Sequence, residues 1–152
     1  MSLTQRLVQL GIELPQVTVP VANYAPAVVT GGYVYVSGQL PLVDGELGTI
    51  GQVGAEVSLE EAAKAARICA LNGLAAAAQA AGGVDNLARA VKVTGFVSSA
   101  PGFFSQPQVI NGASDLLGEI FGNAHARAAV GVSALPMNAA VEVEAVYELA
   151  NP

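Results

Sequence analysis

Near the C-terminal end of the chain stand a cation, Arg127, and two carboxylates, Glu142 and Glu144. A guanidinium grips a carboxylate with two parallel N–H donors, and a fixed carboxylate can orient or activate a water. Each of these residues sits in a stretch that reads as a strand. In Arg127-Ala128-Ala129-Val130-Gly131-Val132-Ser133-Ala134, the alternation puts Ala128, Val130, Val132 and Ala134 on one face, which reads as the buried one. In Val141-Glu142-Val143-Glu144-Ala145-Val146-Tyr147, it sets Val141, Val143, Ala145 and Tyr147 opposite Glu142 and Glu144. One cation and one carboxylate held on a sheet are what a small site for a carboxylate-bearing molecule needs. The bland alternative is a structural ion pair between Arg127 and Glu142 or Glu144.

The elements that must position these groups follow from pattern. Residues 2–11 read as a short helix with Ser2 or Thr4 as cap, a Leu3/Leu7/Leu10 stripe and Gly11 as stop. Prolines 15, 20 and 26 make the next segment an extended arm or an edge strand. In that arm Tyr24 is read on its own as an aromatic lid on the core. Gly31-Gly32 turns the chain into the strand Tyr33–Gln39, whose Ser37-Gly38 lets the backbone approach a ligand or another chain closely. The stretch from Asp44 to Gly54 is glycine-rich and reads as a loop, with neither a Walker A loop nor a dinucleotide fingerprint in it. Ser58-Leu59-Glu60-Glu61 is a capping box, opening a helix that Gly82-Gly83 stops. Its small residues predict close approach to a sheet, and Cys69 on its apolar stripe reads as a buried small hydrophobe rather than a nucleophile. A strand over Ala90–Val97 follows, so strand, helix and strand predict a crossover with a parallel pair. The last helix runs from near Pro107 to Phe121, with Asn111 the odd residue, an amide that must face solvent or make a specific hydrogen bond. His125 reads as a solvated loop histidine.

Composition bounds the answer. The 152 residues make one domain, residues 1–20 forming an N-terminal helix and arm and residues 21–149 the core. The chain is 53% hydrophobic and 12% charged, about half the usual charged fraction, which favours self-association. Twelve acidic against six scattered basic residues give a net charge of −6 and argue against a nucleic-acid partner. Met1–Gly11 lacks the apolar core of a secretion signal, no apolar run is long enough for a membrane span, and the single cysteine suits a cytoplasmic location. No His/Cys/carboxylate set has metal spacing, so no metal site is expected. The element order gives an α/β or α+β fold, helices layered on one face of one sheet.

Several stretches together resemble the RidA family, also known as YjgF/YER057c/UK114. They are Asn23–Ala27, Val34–Pro41 with its Ser-Gly-Gln-Leu-Pro ending, Val91–Val97, and Arg127–Val132 through Leu135-Pro136 to Val141–Ala145. The N-terminal helix and Asn111–Leu116 are similar to the longer-chain branch labelled putative endoribonuclease L-PSP or chorismate mutase-like. The resemblance implies a chorismate-mutase-like mixed sheet with two main helices on one face, assembled as a homotrimer with clefts between subunits. It implies cofactor-free hydrolysis of reactive enamines and imines to a keto acid and ammonia. By the same resemblance Arg127 clamps the substrate carboxylate, Glu142 orients or activates water, and Tyr24, Ser37, Gly38 and Asn111 line the pocket. The chain departs from the deaminase branch at Ala129, where a cysteine is common, and in the longer stretch around Ser98–Gln106.

If the last two strands formed a tight hairpin, Glu142 would stand about five positions from the residue opposite Arg127, roughly 17 Å along the strand. The family's sheet order puts the strand around Val93 between them instead. Either way, a site using both groups calls for two subunits. The competing functions are a non-catalytic trimer that binds small carboxylates and the ribonuclease of the family label, which the acidic charge disfavours.

Overall fold

The computed structural model describes residues 1–152 apart from Thr18 and Val21. Helix α1 (Leu3–Gln9) starts at Ser2, whose hydroxyl accepts from the Gln5 amide while the Gln5 side chain accepts from the Ser2 amide. Thr4, the other candidate cap, donates instead to both carboxylate oxygens of Asp85. Of the proline-rich arm after it, Thr18 and Val21 lie outside the described residues, and the rest forms no strand before Ala27. Strands β1 (Ala27–Thr30) and β2 (Tyr33–Gln39) make a hairpin on Gly31-Gly32, both in the left-handed region that its two-residue turn needs. The glycine-rich stretch read as loop holds a small ribbon, β3 (Leu42–Val43) and β4 (Glu46–Leu47), turned at Asp44-Gly45.

Helix α2 (Leu59–Ala81) opens on the Ser58–Glu61 capping box and ends at Gly82 in the left-handed conformation. Strand β5 (Leu87–Ser98), helix α3 (Gln106–Phe121), strand β6 (Ala126–Val132) and strand β7 (Val141–Leu149) complete the chain. The main sheet has the order β1-β2-β7-β5-β6. Only β5 and β6 pair in parallel, through the α3 crossover; every other pairing is antiparallel. The crossover predicted from β2 to β5 is therefore corrected. These two strands do run the same way, but β7 enters between them and pairs antiparallel with both. β7 comes last in sequence and its odd residues are apolar on the covered side, so it fills the centre of the sheet.

Helices α2 and α3 cover one face. Val141, Val143, Ala145 and Tyr147 of β7 point into that core with Val93 and Val97 of β5 and the apolar sides of both helices. The small residues allow very close layers. A Cβ on Gly112 of α3 would run into the backbone carbonyl of Ala63 on α2, and one on Gly95 of β5 would run into Ile110. The predicted close approach is thus as tight between the helices as between helix and sheet.

One face assignment is reversed. Arg127 pairs with Val93, and Ala129 with Gly95, so Arg127, Ala129 and Gly131 lie on the helix side. Ala128, Val130 and Val132 lie on the open side, where Val130 is 41% exposed. The alternation marked two faces, and the apolar one is the face this chain leaves uncovered. Val28, Tyr33 and Tyr35 stand exposed on the same open face. Among the described residues, no helix is long and apolar enough to cross a membrane.

Candidate functional site

Arg127 is the second residue of β6, at the sheet edge, on the face that α3 overhangs. Its Nη1 donates to Asn111 Oδ1 at 2.8 Å and to Ser114 Oγ at 3.2 Å; its Nη2 donates to the Pro107 carbonyl at 3.3 Å. Asn111 and Ser114 are one helical turn apart, so α3 presents both to the strand as a ladder. The mid-helix amide thus makes the specific hydrogen bond its position calls for. All three partners are neutral, which overturns the ion-pair reading: no carboxylate meets Arg127 among the described residues. Five N–H groups with three engaged leave Nε–H and one Nη2 hydrogen free for a ligand.

His125 is corrected too. It is not a solvated loop residue: its Nε2 lies 2.9 Å from Ser114 Oγ, and its Nδ1 is buried without a partner. Burial, and then the neighbouring Arg127 charge, lower its pKa from the ordinary 6.5. The imidazole is therefore neutral near pH 7, and Arg127 is the cation of this corner. Sequence reasoning missed Ser114 and His125 as site neighbours. The available signal was spacing, since His125 is two residues from Arg127 on a strand edge and Ser114 three from Asn111 on a helix.

The second group of predicted residues gathers elsewhere. Between the pairs Val36–Ala145 and Gln39–Val143 the ladder shifts, and Ser37-Gly38 bulge out of β2. The bulge is fastened to the arm: Ser37 Oγ donates to the Ala25 carbonyl at 2.6 Å, and Ser37 N–H donates to the Pro26 carbonyl at 2.9 Å. Tyr24 beside it is 58% exposed and is no lid on its own chain's core. Gly38 lies directly over Glu142, whose carboxylate occupies the space a Cβ would need. Glu142 is half-buried; desolvation first, and the nearby Glu144 charge second, raise its pKa above the ordinary 4.5.

One chain does not bring the two groups together. Glu142 pairs with Phe96 and Arg127 with Val93, on either side of β5. Three residues along and two strands across put their Cα atoms roughly 14 Å apart. Their side chains also leave opposite faces of the sheet, since Glu142 alternates with the buried Val141 and Val143. A concavity of about 390 Å³ that takes in Ser37 of the bulge lies on the open face with Tyr35, Lys92, Thr94 and Glu144. A larger groove of about 720 Å³ between the arm, β3–β4 and α2 contains Glu13 and Asp44, no cation and none of the predicted site residues. Its charge is wrong for an anionic ligand, so its size does not make it the site. Cys69 is fully buried with its thiol pKa pushed well up, chiefly by burial, as a packed hydrophobe should be.

Known proteins share this architecture over nearly the whole chain. Residues 4–150 match the family described as YjgF/chorismate mutase-like, putative endoribonuclease. The protein TCP17 of Trypanosoma cruzi is 46% identical over 148 residues, spanning 95% of this chain and 92% of that one. Among solved structures, Atu1372 of Agrobacterium tumefaciens, of unknown function, is 42% identical with a TM-score of 0.87, covering 97% of this chain and 92% of its own. A putative endoribonuclease of Shewanella oneidensis MR-1 is 34% identical with a TM-score of 0.92, covering 98% of this chain and all of its own. By these likenesses the chain belongs to the RidA/YjgF family.

Proposed function

We propose that the protein is a cofactor-free hydrolase of reactive enamines and imines that carry a carboxylate, releasing a keto acid and ammonia. The observation that carries the reading is Arg127, a cation held by three neutral partners with two donors unspent. A substrate carboxylate would take those donors. Glu142, Gly38, Ser37 and Tyr24 of a neighbouring copy would complete the cleft, and Asn111 would keep the guanidinium in place. A homotrimer closing through the open sheet faces would bury Val130, Tyr35 and Val28 and bring the two groups to one ligand. Within such a cleft a water held by Glu142 adds to the imine carbon as the C=N nitrogen takes a proton. Collapse of the carbinolamine breaks the C–N bond and expels ammonia. A carboxylate with a raised pKa suits both halves of that proton traffic, taking a proton from water and returning it to the leaving amine.

The test generates 2-aminoacrylate in situ and follows ammonia and pyruvate release with wild type and Arg127→Ala. Wild type should accelerate release, and Arg127→Ala should lose about 100-fold or more in kcat/KM, the scale of a lost bidentate clamp plus misplacement of the substrate. No acceleration by wild type, with pyruvate binding that Arg127→Ala abolishes, would make the protein a carboxylate-binding module instead. The ribonuclease in the family label finds less support: a net charge of −6 and scattered cations offer no track for a phosphate backbone.

A further inference from the structure

We propose that Ser114 and His125 act as a coupled positioning pair that aims the guanidinium of Arg127, with His125 working only through Ser114. The inference rests on the reading of Arg127 as a carboxylate clamp and adds two residues to that site.

Hydrogen-bond logic carries it. Ser114 Oγ receives Nη1–H of Arg127 at 3.2 Å, so its own proton is available to an acceptor. Of the two tautomers this contact allows, we take the one in which His125 Nε2, 2.9 Å away, is the acceptor. With the hydroxyl proton spent on the imidazole, the oxygen turns a lone pair to the arginine, and the chain His125–Ser114–Arg127 polarises in one direction. Asn111 holds the other Nη1 hydrogen at 2.8 Å. Nη1 is thereby fully engaged, and the guanidinium plane cannot swing its free edge away from the cleft. In this arrangement His125 carries its proton on Nδ1, a buried group with no partner. A buried orphan is costly and uncommon, and here it accompanies the one orientation of the ring that serves Ser114. His125 touches neither Arg127 through a hydrogen bond nor the free edge, so it is a positioning residue, not a catalytic one.

Pyruvate, a stable keto acid, is the probe. Its dissociation constant is measured by calorimetry on wild type, Ser114→Ala, His125→Leu, the double variant, and the conservative Ser114→Thr and His125→Gln. Each variant's fold and assembly are checked by circular dichroism and size. The pair predicts a loss of about 5- to 20-fold for Ser114→Ala and for His125→Leu, with the double variant no worse than Ser114→Ala alone, since the histidine acts through the serine. Ser114→Thr and His125→Gln keep the hydroxyl or its acceptor and should bind within about threefold of wild type. Affinities within twofold of wild type for both Ser114→Ala and His125→Leu would overturn the inference, as would additive losses in the double variant. If Ser114→Ala or His125→Leu fails to fold, the conservative variants decide: a loss of more than tenfold in both overturns the proposal. Wild type that binds no pyruvate while remaining folded would remove the clamp reading itself, a result distinct from wild type binding that the variants share.

Discussion

The two halves of the candidate site are built by opposite means. The Arg127 half is made of side chains: Asn111 and Ser114 reach down from a rigid helix to a guanidinium on an edge strand. The Glu142 half is made of backbone: a glycine bulge in β2 leaves just enough room for a carboxylate rising from β7. Their electrostatics are opposite too. One half keeps a cation without a counter-charge, and the other disfavours its own anion through burial and a neighbouring carboxylate. Each half is incomplete alone, and they look out from different faces of the sheet. Under the proposed function, a site assembled between copies would use both halves.

The contrast can be broken most severely at Gly112, which lies beside Asn111 and against the backbone of Ala63. Gly112→Ala should force α2 and α3 apart and cost about 3 kcal/mol, a drop of roughly 6–12 °C in Tm by calorimetry. Pyruvate affinity should fall with it, while the bulge over Glu142 is untouched. A narrower break is Arg127→Lys, which keeps the charge but not the fork. Its KM for the in situ enamine should rise about 10-fold or more, with stability little changed. On the other half, Gly38→Ala pushes a methyl group into the Glu142 carboxylate. It should lower kcat by about tenfold with KM nearly constant, because water activation and not the clamp is disturbed.

The smallest effects are the pH slopes, and here the halves should differ in sign. His125 has its folded pKa below the unfolded value, so its contribution is full above pH 6.5 and is lost as pH falls through the folded value. Glu142 has its folded pKa above the unfolded value, so its contribution is full below pH 4.5 and is lost as pH rises through the folded value. Melting curves from pH 4 to 8 should show Glu142→Gln gaining about 1–3 °C over wild type at neutral pH. His125→Gln should flatten the fall in Tm on the acid side of pH 6.5. Identical slopes in the two variants and wild type would remove the electrostatic half of the comparison.

Local chemistry was the readable part of this fold. Ser58 with Glu61 announced α2, Gly82 and Gly122 ended the two long helices, and the apolar alternation of β7 pointed at the core as written. The order of strands was not readable by pattern, because alternation shows that a strand has two faces but not which neighbours it will take. Hence β2 and β5 read as a pair until β7 is seen between them. The face of β6 failed for a related reason. Val130 and Val132 are apolar on the side this chain leaves open, which a single-chain rule reads as core. Of the site, Arg127 and Glu142 stood out as charges in apolar strands and Asn111 as an amide inside a helix, while the roles of Tyr24, Ser37, Gly38 and Asn111 as pocket lining came from family resemblance. Ser114 and His125 escaped because their spacing from Asn111 and Arg127 becomes a signal only once α3 is known to pack over the start of β6.

The central claim is that each site takes Arg127 from one copy and Glu142 from another. Arg127→Ala and Glu142→Gln chains, each inactive alone, are co-expressed with different tags, and assemblies carrying both tags are purified. In a closed trimer every mixed assembly then holds one intact site of three, so enamine hydrolysis should return to about one third of wild type. Activity no higher than that of the two parent variants would contradict a site shared between copies.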